Sequence, residues 1–141
     1  MLFLASHMAV CLVILILITS SSPVLSQDLP GYDEISIFLD MPEVGGGEID
    51  ALIKGTELYL PVTDLFDFLK IKNTSSSGFE SISGFFVNKD ATYSINRSEN
   101  RIIYQGQSFA LDPGDIIRTE SNLYLRSQLF GKVFGLECLF N

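Results

Sequence analysis

One stretch of this chain occurs twice, and the two copies limit what it can fold into. Leu58-Tyr59-Leu60-Pro61-Val62-Thr63-Asp64-Leu65-Phe66-Asp67-Phe68-Leu69-Lys70-Ile71 aligns without a gap on Leu123-Tyr124-Leu125-Arg126-Ser127-Gln128-Leu129-Phe130-Gly131-Lys132-Val133-Phe134-Gly135-Leu136, 65 residues later. The Leu-Tyr-Leu triplets are identical, and apolar residues then keep step: Leu65 with Phe130, Phe68 with Val133, Leu69 with Phe134. Two copies held apart by a long unshared stretch imply a single pseudo-symmetric domain, not a tandem array. The triplets therefore read as core strands.

Each copy predicts a hairpin followed by a short helix. Ile49 to Ile53 and Leu58 to Leu60 flank Lys54-Gly55-Thr56-Glu57, and Asp115 to Arg118 and Leu123 to Leu125 flank Thr119-Glu120-Ser121-Asn122. Pro61 suits the first turn of a helix, where its missing N–H is not needed. Leu65, Phe68 and Leu69 have one-face helical spacing, and Asp64 and Asp67 fall at the helix's positive end. In the second copy the helix runs from Arg126 or Ser127 through Phe134, with Gly135 as its cap. Lys70 stands where that glycine would be, so the cap is not expected in the first copy.

Between the copies lie short β-type runs: Ile82 to Val87, Ala91 to Ile95, Arg101 to Tyr104 and Ser108 to Leu111. Polar turn sequences separate them, which predicts an antiparallel meander. Asn73 to Gly78 reads as a polar loop, and Gly45-Gly46-Gly47 as another, because glycines lose the most backbone entropy on ordering. Glu34 to Leu39 alternates as a first strand, with Ile35, Ile37 and Leu39 on one face. The expectation is an α+β domain: an antiparallel β-meander between two hairpin–helix units in a pseudo-repeat. Residues 27–47 form its lead-in and 48–141 its body. The strand-like run at the end suggests that more chain follows.

Residues 1–26 read as an export signal. Met8 to Ile18 is nearly unbroken apolar sequence, then Thr19-Ser20-Ser21-Ser22-Pro23 leads to a cleavage site between Ser26 and Gln27. The competing reading is an uncleaved anchor helix, since 2–18 approaches a bilayer-spanning length. Cleavage would remove His7 and Cys11, leaving no histidine and one cysteine, Cys138. Leu136, Cys138 and Phe140 alternate onto one strand face, so Cys138 reads as buried, the alternative being a bond to a cysteine in another chain.

The formal net charge of −8 opposes nucleic-acid binding and docking on anionic lipid. Membrane association is expected only through the signal segment or through following chain. A histidine-free processed chain cannot build a Ser-His-Asp triad or a His-ligated zinc site. Gly45-Gly46-Gly47 lacks the residues of a phosphate loop, and the aspartates form no calcium-loop run. No catalytic residue, cofactor site or metal-ligand set is assigned. The binding-surface candidates are aromatic: Tyr59, Tyr124 and Tyr93 as stacking platforms, and Phe86 as one of an adjacent pair facing opposite ways. Tyr59 and Tyr124 also suit plain strand packing. Asp64 and Asp67 are nominees for a carboxylate-dependent hydrolase, against their simpler role as dipole partners.

Strand, Leu-Tyr-Leu-Pro-Val-x-Asp-Leu-x-x-x-Leu, meander and a second round of the same resembles the N-terminal-like domain of copper amine oxidases. The matching positions are Leu60-Pro61-Val62-Thr63-Asp64-Leu65 to Leu69, then Leu125 and Phe134-Gly135, within roughly 49–141. Arg126 and Lys70 depart from that pattern, which has Pro and Gly there. The resemblance implies a non-catalytic exported accessory module without copper or quinone. The segment order from Glu34 to Leu39 also resembles the start of usher-like outer-membrane proteins. Function is thus expected to be protein–protein contact in the periplasm or cell envelope, with a separate protein or later domains of the same chain as partner. A cell-wall glycan or peptide module is the alternative.

Overall fold

Ten strands and two α-helices follow one another in residues 31–139, the part of the chain that this computed structural model describes. The proposed export signal lies outside the described residues. The chain opens with β1 (Asp33–Met41), β2 (Gly45–Lys54), β3 (Glu57–Pro61) and α1 (Val62–Phe68). The middle holds β4 (Lys72–Ser75), β5 (Ser81–Phe85), β6 (Thr92–Asn96), β7 (Arg101–Tyr104) and β8 (Gln107–Ala110). It closes with β9 (Ile116–Arg118), β10 (Leu123–Arg126) and α2 (Ser127–Phe134). Two five-stranded antiparallel sheets result, in the orders β1-β2-β3-β10-β9 and β4-β5-β6-β7-β8. Mostly antiparallel sheet with two helices places the chain in the α+β class.

The Leu-Tyr-Leu triplets lie in β3 and β10, adjacent interior strands of the first sheet. β3 and β10 run antiparallel with Leu60 opposite Leu125, Tyr59 opposite Arg126 and Pro61 opposite Tyr124. On the outer sides, Leu52 pairs with Tyr59 and Ile117 with Tyr124. Both helices start directly off these strands, at Val62 and at Ser127. Leu60 and Leu125 are buried inward, together with Val62, Leu65, Phe66, Leu129, Phe130, Val133 and Phe134 of the helices.

One apolar cluster joins the inner faces of both sheets to the helices. From the second sheet it takes Ile82, Tyr93, Ile95 and Ile102. Phe66 lies at its centre, edge-on to Tyr93 (5.1 Å between centroids), Phe134 (5.6 Å), Phe86 (5.8 Å) and Phe130 (6.0 Å). Edge-to-face contact sets the positive rim of one ring against the negative face of the next.

Four sequence expectations are corrected. Gly45-Gly46-Gly47 is strand, not loop: the three pair with Met41, Asp40 and Leu39 at the far end of the β1–β2 hairpin. Aromatic rings fill the space that missing side chains leave. A β-carbon on Gly46 would come within 2.4 Å of the Phe38 ring, and one on Gly47 within 3.1 Å of Phe68. Asn73 to Ser75 also belongs to a strand, β4, whose polar residues suit a half-exposed edge. The first hairpin turns through Gly55 and Thr56 alone, since Lys54 already pairs with Glu57. Lys70 has φ +60°, the left-handed conformation that Gly135 takes at +71°, although the closing bonds differ: Lys70 N–H donates to Asp67 O and Gly135 N–H to Gly131 O. A smaller difference is that Leu136 to Leu139 forms no strand.

Candidate functional site

β1 is the longest unpaired edge in the first sheet. Among the described residues, its only strand partner over nine residues is β2, which leaves one side of its backbone without a strand neighbour there. Alternation sends Glu34, Ser36, Phe38 and Asp40 to the exposed outer face and half-buries Ile35, Ile37 and Leu39 against the core. Phe38 breaks the polar character of the outer face. Its ring is 68% exposed even though one side rests over Gly46. Val44 at the hairpin tip is also exposed.

The first half of β2 extends beyond β3, whose pairing with it begins at Leu52. There α1 takes the place of a strand. Between them runs an open groove of about 490 Å³ lined by Ser36, Glu48, Asp50, Asp64, Asp67 and Phe68. Carboxylates distant in sequence thus share one surface. Burial pushes the Asp64 carboxyl above its usual pKa; a hydrogen bond with Asn122 opposes this, and the charges of Asp67 and Asp50 reinforce it. Asp67 accepts a hydrogen bond from Asn73 Nδ2 at 2.7 Å. Among the described residues, no group of three or more His, Cys, Asp or Glu is placed to hold a metal ion.

The tyrosines chosen from sequence are covered. Tyr59 is 2% exposed, Tyr93 3% and Tyr124 6%, so no ring face is open for a sugar to stack on. Tyr59, Tyr124 and Leu52 form a small second cluster on the outer face of the first sheet, flanked by Tyr32 and Ile117. The Tyr59 hydroxyl donates to Gly114 O at 2.6 Å, and Tyr93 donates to Lys72 O at 3.0 Å. Burial raises the Tyr93 and Tyr124 phenol pKa values. Phe86 is half-buried in the aromatic cluster, its ring stacked on Phe134 at 5.5 Å.

Arg126, which replaces the first copy's proline, ties elements together. Its Nη2 donates to Gly114 O at 3.2 Å and to the Tyr59 hydroxyl at 3.4 Å, and its Nε faces Asp115 at 3.5 Å and Glu57 at 3.8 Å. The Tyr59 contact, more than any other, raises the guanidinium pKa. A second open groove, about 570 Å³, lies between the Gly55–Thr56 turn and α2, with Glu57, Lys132 and Cys138 in its lining. Burial raises the Cys138 thiol pKa.

The outer face of the second sheet has a different character. Across its strands, Thr74 pairs with Ser83, Ser83 with Ser94, Ser94 with Ile103 and Ile103 with Ser108. That is a five-strand row with four hydroxyls, uncovered by any other described element and exposed at all positions except half-buried Ser94.

No protein-family model, curated protein or solved structure matches this chain. Among the described residues, no helix is long and apolar enough to cross a membrane. Sequence reasoning passed over Phe38, although its signal was present. Once Ile35, Ile37 and Leu39 are assigned inward, Phe38 must point outward.

Proposed function

We propose that this chain is a non-catalytic, exported cell-envelope domain that contacts another protein, or a later domain of its own chain, through β1. The open nine-residue edge carries the reading. An unpaired strand offers backbone donors and acceptors at a regular spacing, and a second strand can add there with backbone bonds supplying affinity. Phe38 gives that edge an apolar anchor of the type enriched at protein interfaces. Export rests on the apolar run and cleavage site in residues 1–26.

The same reading takes the domain as a pseudo-symmetric pair of hairpin–helix units, akin to the N-terminal-like module of copper amine oxidases and the front of usher-like proteins. Supporting it, the pairs Leu52–Tyr59 and Ile117–Tyr124 differ by the repeat offset, and the equivalent Leu60 and Leu125 face each other. In envelope extracts of its host, the processed chain should begin at Gln27 by mass spectrometry and elute from a sizing column well above its own mass. Ser36→Pro and Ile37→Pro each remove a β1 backbone donor. The one whose N–H faces outward should release a separate partner and return the protein to monomer size, or, for later chain, expose the β1 amides to hydrogen exchange with the mass unchanged. A free species with the mass of residues 27–141 alone in the wild-type extract would overturn the contact reading, because both a separate protein and later chain add mass, and a cytoplasmic location would overturn export.

A second reading, glycan binding, is favoured by the hydroxyl row on the other sheet. Retention on purified cell-wall polysaccharide that is lost in Ser83→Glu would support it. Unchanged elution from that matrix in wild type and variant would remove it.

A further inference from the structure

We infer that the partner segment received by β1 is a basic, amphipathic strand alternating Lys or Arg with Val or Ile; this rests on the contact reading above. Two features of the edge define it. First, charge is concentrated there. Residues 33–54 hold six acids (Asp33, Glu34, Asp40, Glu43, Glu48, Asp50) against one base, Lys54, in a chain whose whole net charge is −8. Second, the core is unfinished at this edge, where Ile35, Ile37 and Leu39 are only partly covered.

A strand laid along β1 puts successive side chains on opposite faces. Residues opposite Ile35, Ile37 and Leu39 extend the core, and apolar β-branched side chains suit that face. Residues opposite Glu34, Ser36, Phe38 and Asp40 meet two carboxylates and one aromatic ring. Lysine or arginine there pairs with Glu34 and Asp40, and over Phe38 it gains a cation–π contact. A second copy of the chain fits poorly. Antiparallel β1–β1 pairing centred on Ile37 sets Glu34 against Asp40 twice, and like charges directly opposite are destabilising.

The probes are two end-capped peptides, Lys-Val-Lys-Val-Lys-Val-Lys and its glutamate counterpart, titrated into the ¹⁵N-labelled protein. The lysine peptide should shift and protect the amides of 33–41 and leave the β5–β7 amides unmoved. It should bind at least ~10-fold tighter than the glutamate peptide at low salt, with the gap narrowing as salt is added. The double variant Glu34→Lys/Asp40→Lys should reverse the preference, which also separates charge recognition from loss of fold. Equal binding of both peptides at β1 would overturn the basic partner but keep the edge. Neither peptide perturbing 33–41 would overturn both. Concentration-dependent self-association through β1 would assign the edge to a second copy and overturn the basic strand.

Discussion

Lys70 holds φ +60° at the end of α1, where a side-chain-bearing residue is strained, and Gly135 holds +71° at the end of α2 without that strain. Left-handed backbone costs an L-residue roughly 1 kcal/mol. Lys70→Gly should therefore raise stability by up to ~1 kcal/mol and Gly135→Ala lower it by about as much, read from urea midpoints at constant slope. Space around Gly135 is open, so the second loss is purely conformational. Asp64 gives a pH test. Its carboxyl is raised by burial, and the nearby Asp67 and Asp50 add to that, so its protonated form is the better fit to the fold. The associated stability is complete below about pH 4 and is lost as pH rises through the folded value. Asp64→Asn should match wild type at pH 3 and exceed it by a few tenths of a kcal/mol at pH 7 in the same urea assay.

Among the elements, β3 and β10 were legible because an identical triplet marked them, and the helices because apolar spacing followed it. The meander strands were legible as short apolar-containing runs between turn sequences, with β-branched residues in β5, β6 and β7 and Phe109 in β8. β4 was not, since Lys72, Asn73, Thr74 and Ser75 have turn-like chemistry and an edge strand needs few apolar residues. The glycine strand start was not legible either. Its reason is two rings, Phe38 and Phe68, supplied from elsewhere in the chain. Gly84 shows how closely β4 meets β5: a β-carbon there would fall 1.8 Å from Lys72 O. Gly84→Ala should cost at least ~3 kcal/mol and broaden the amide signals of β4 first in an NMR spectrum. The candidate site was half visible. Alternation aims Phe38 outward, but no local pattern says that β1 is an edge or that Leu60 and Leu125, so far apart in sequence, lie opposite each other in β3 and β10.

For the whole molecule, one cluster spanning both sheets and both helices implies a single cooperative unit. Phe66→Ala should cost ~3–5 kcal/mol, and near-UV and far-UV circular dichroism should still lose signal together. Separate transitions would mean that the sheets are independently stable. The two outer surfaces then divide the functional possibilities: an acidic strand edge with an exposed ring on one sheet, a hydroxyl row on the other. Site-specific photocrosslinking in the host cell separates them most directly, with a photoreactive residue placed singly at Ser36, Phe38, Ser83 or Ser94. A discrete protein adduct at positions 36 and 38, with none at 83 and 94, is the predicted result. Adducts confined to 83 and 94, or none at β1, would contradict the assignment of β1 as the contact surface.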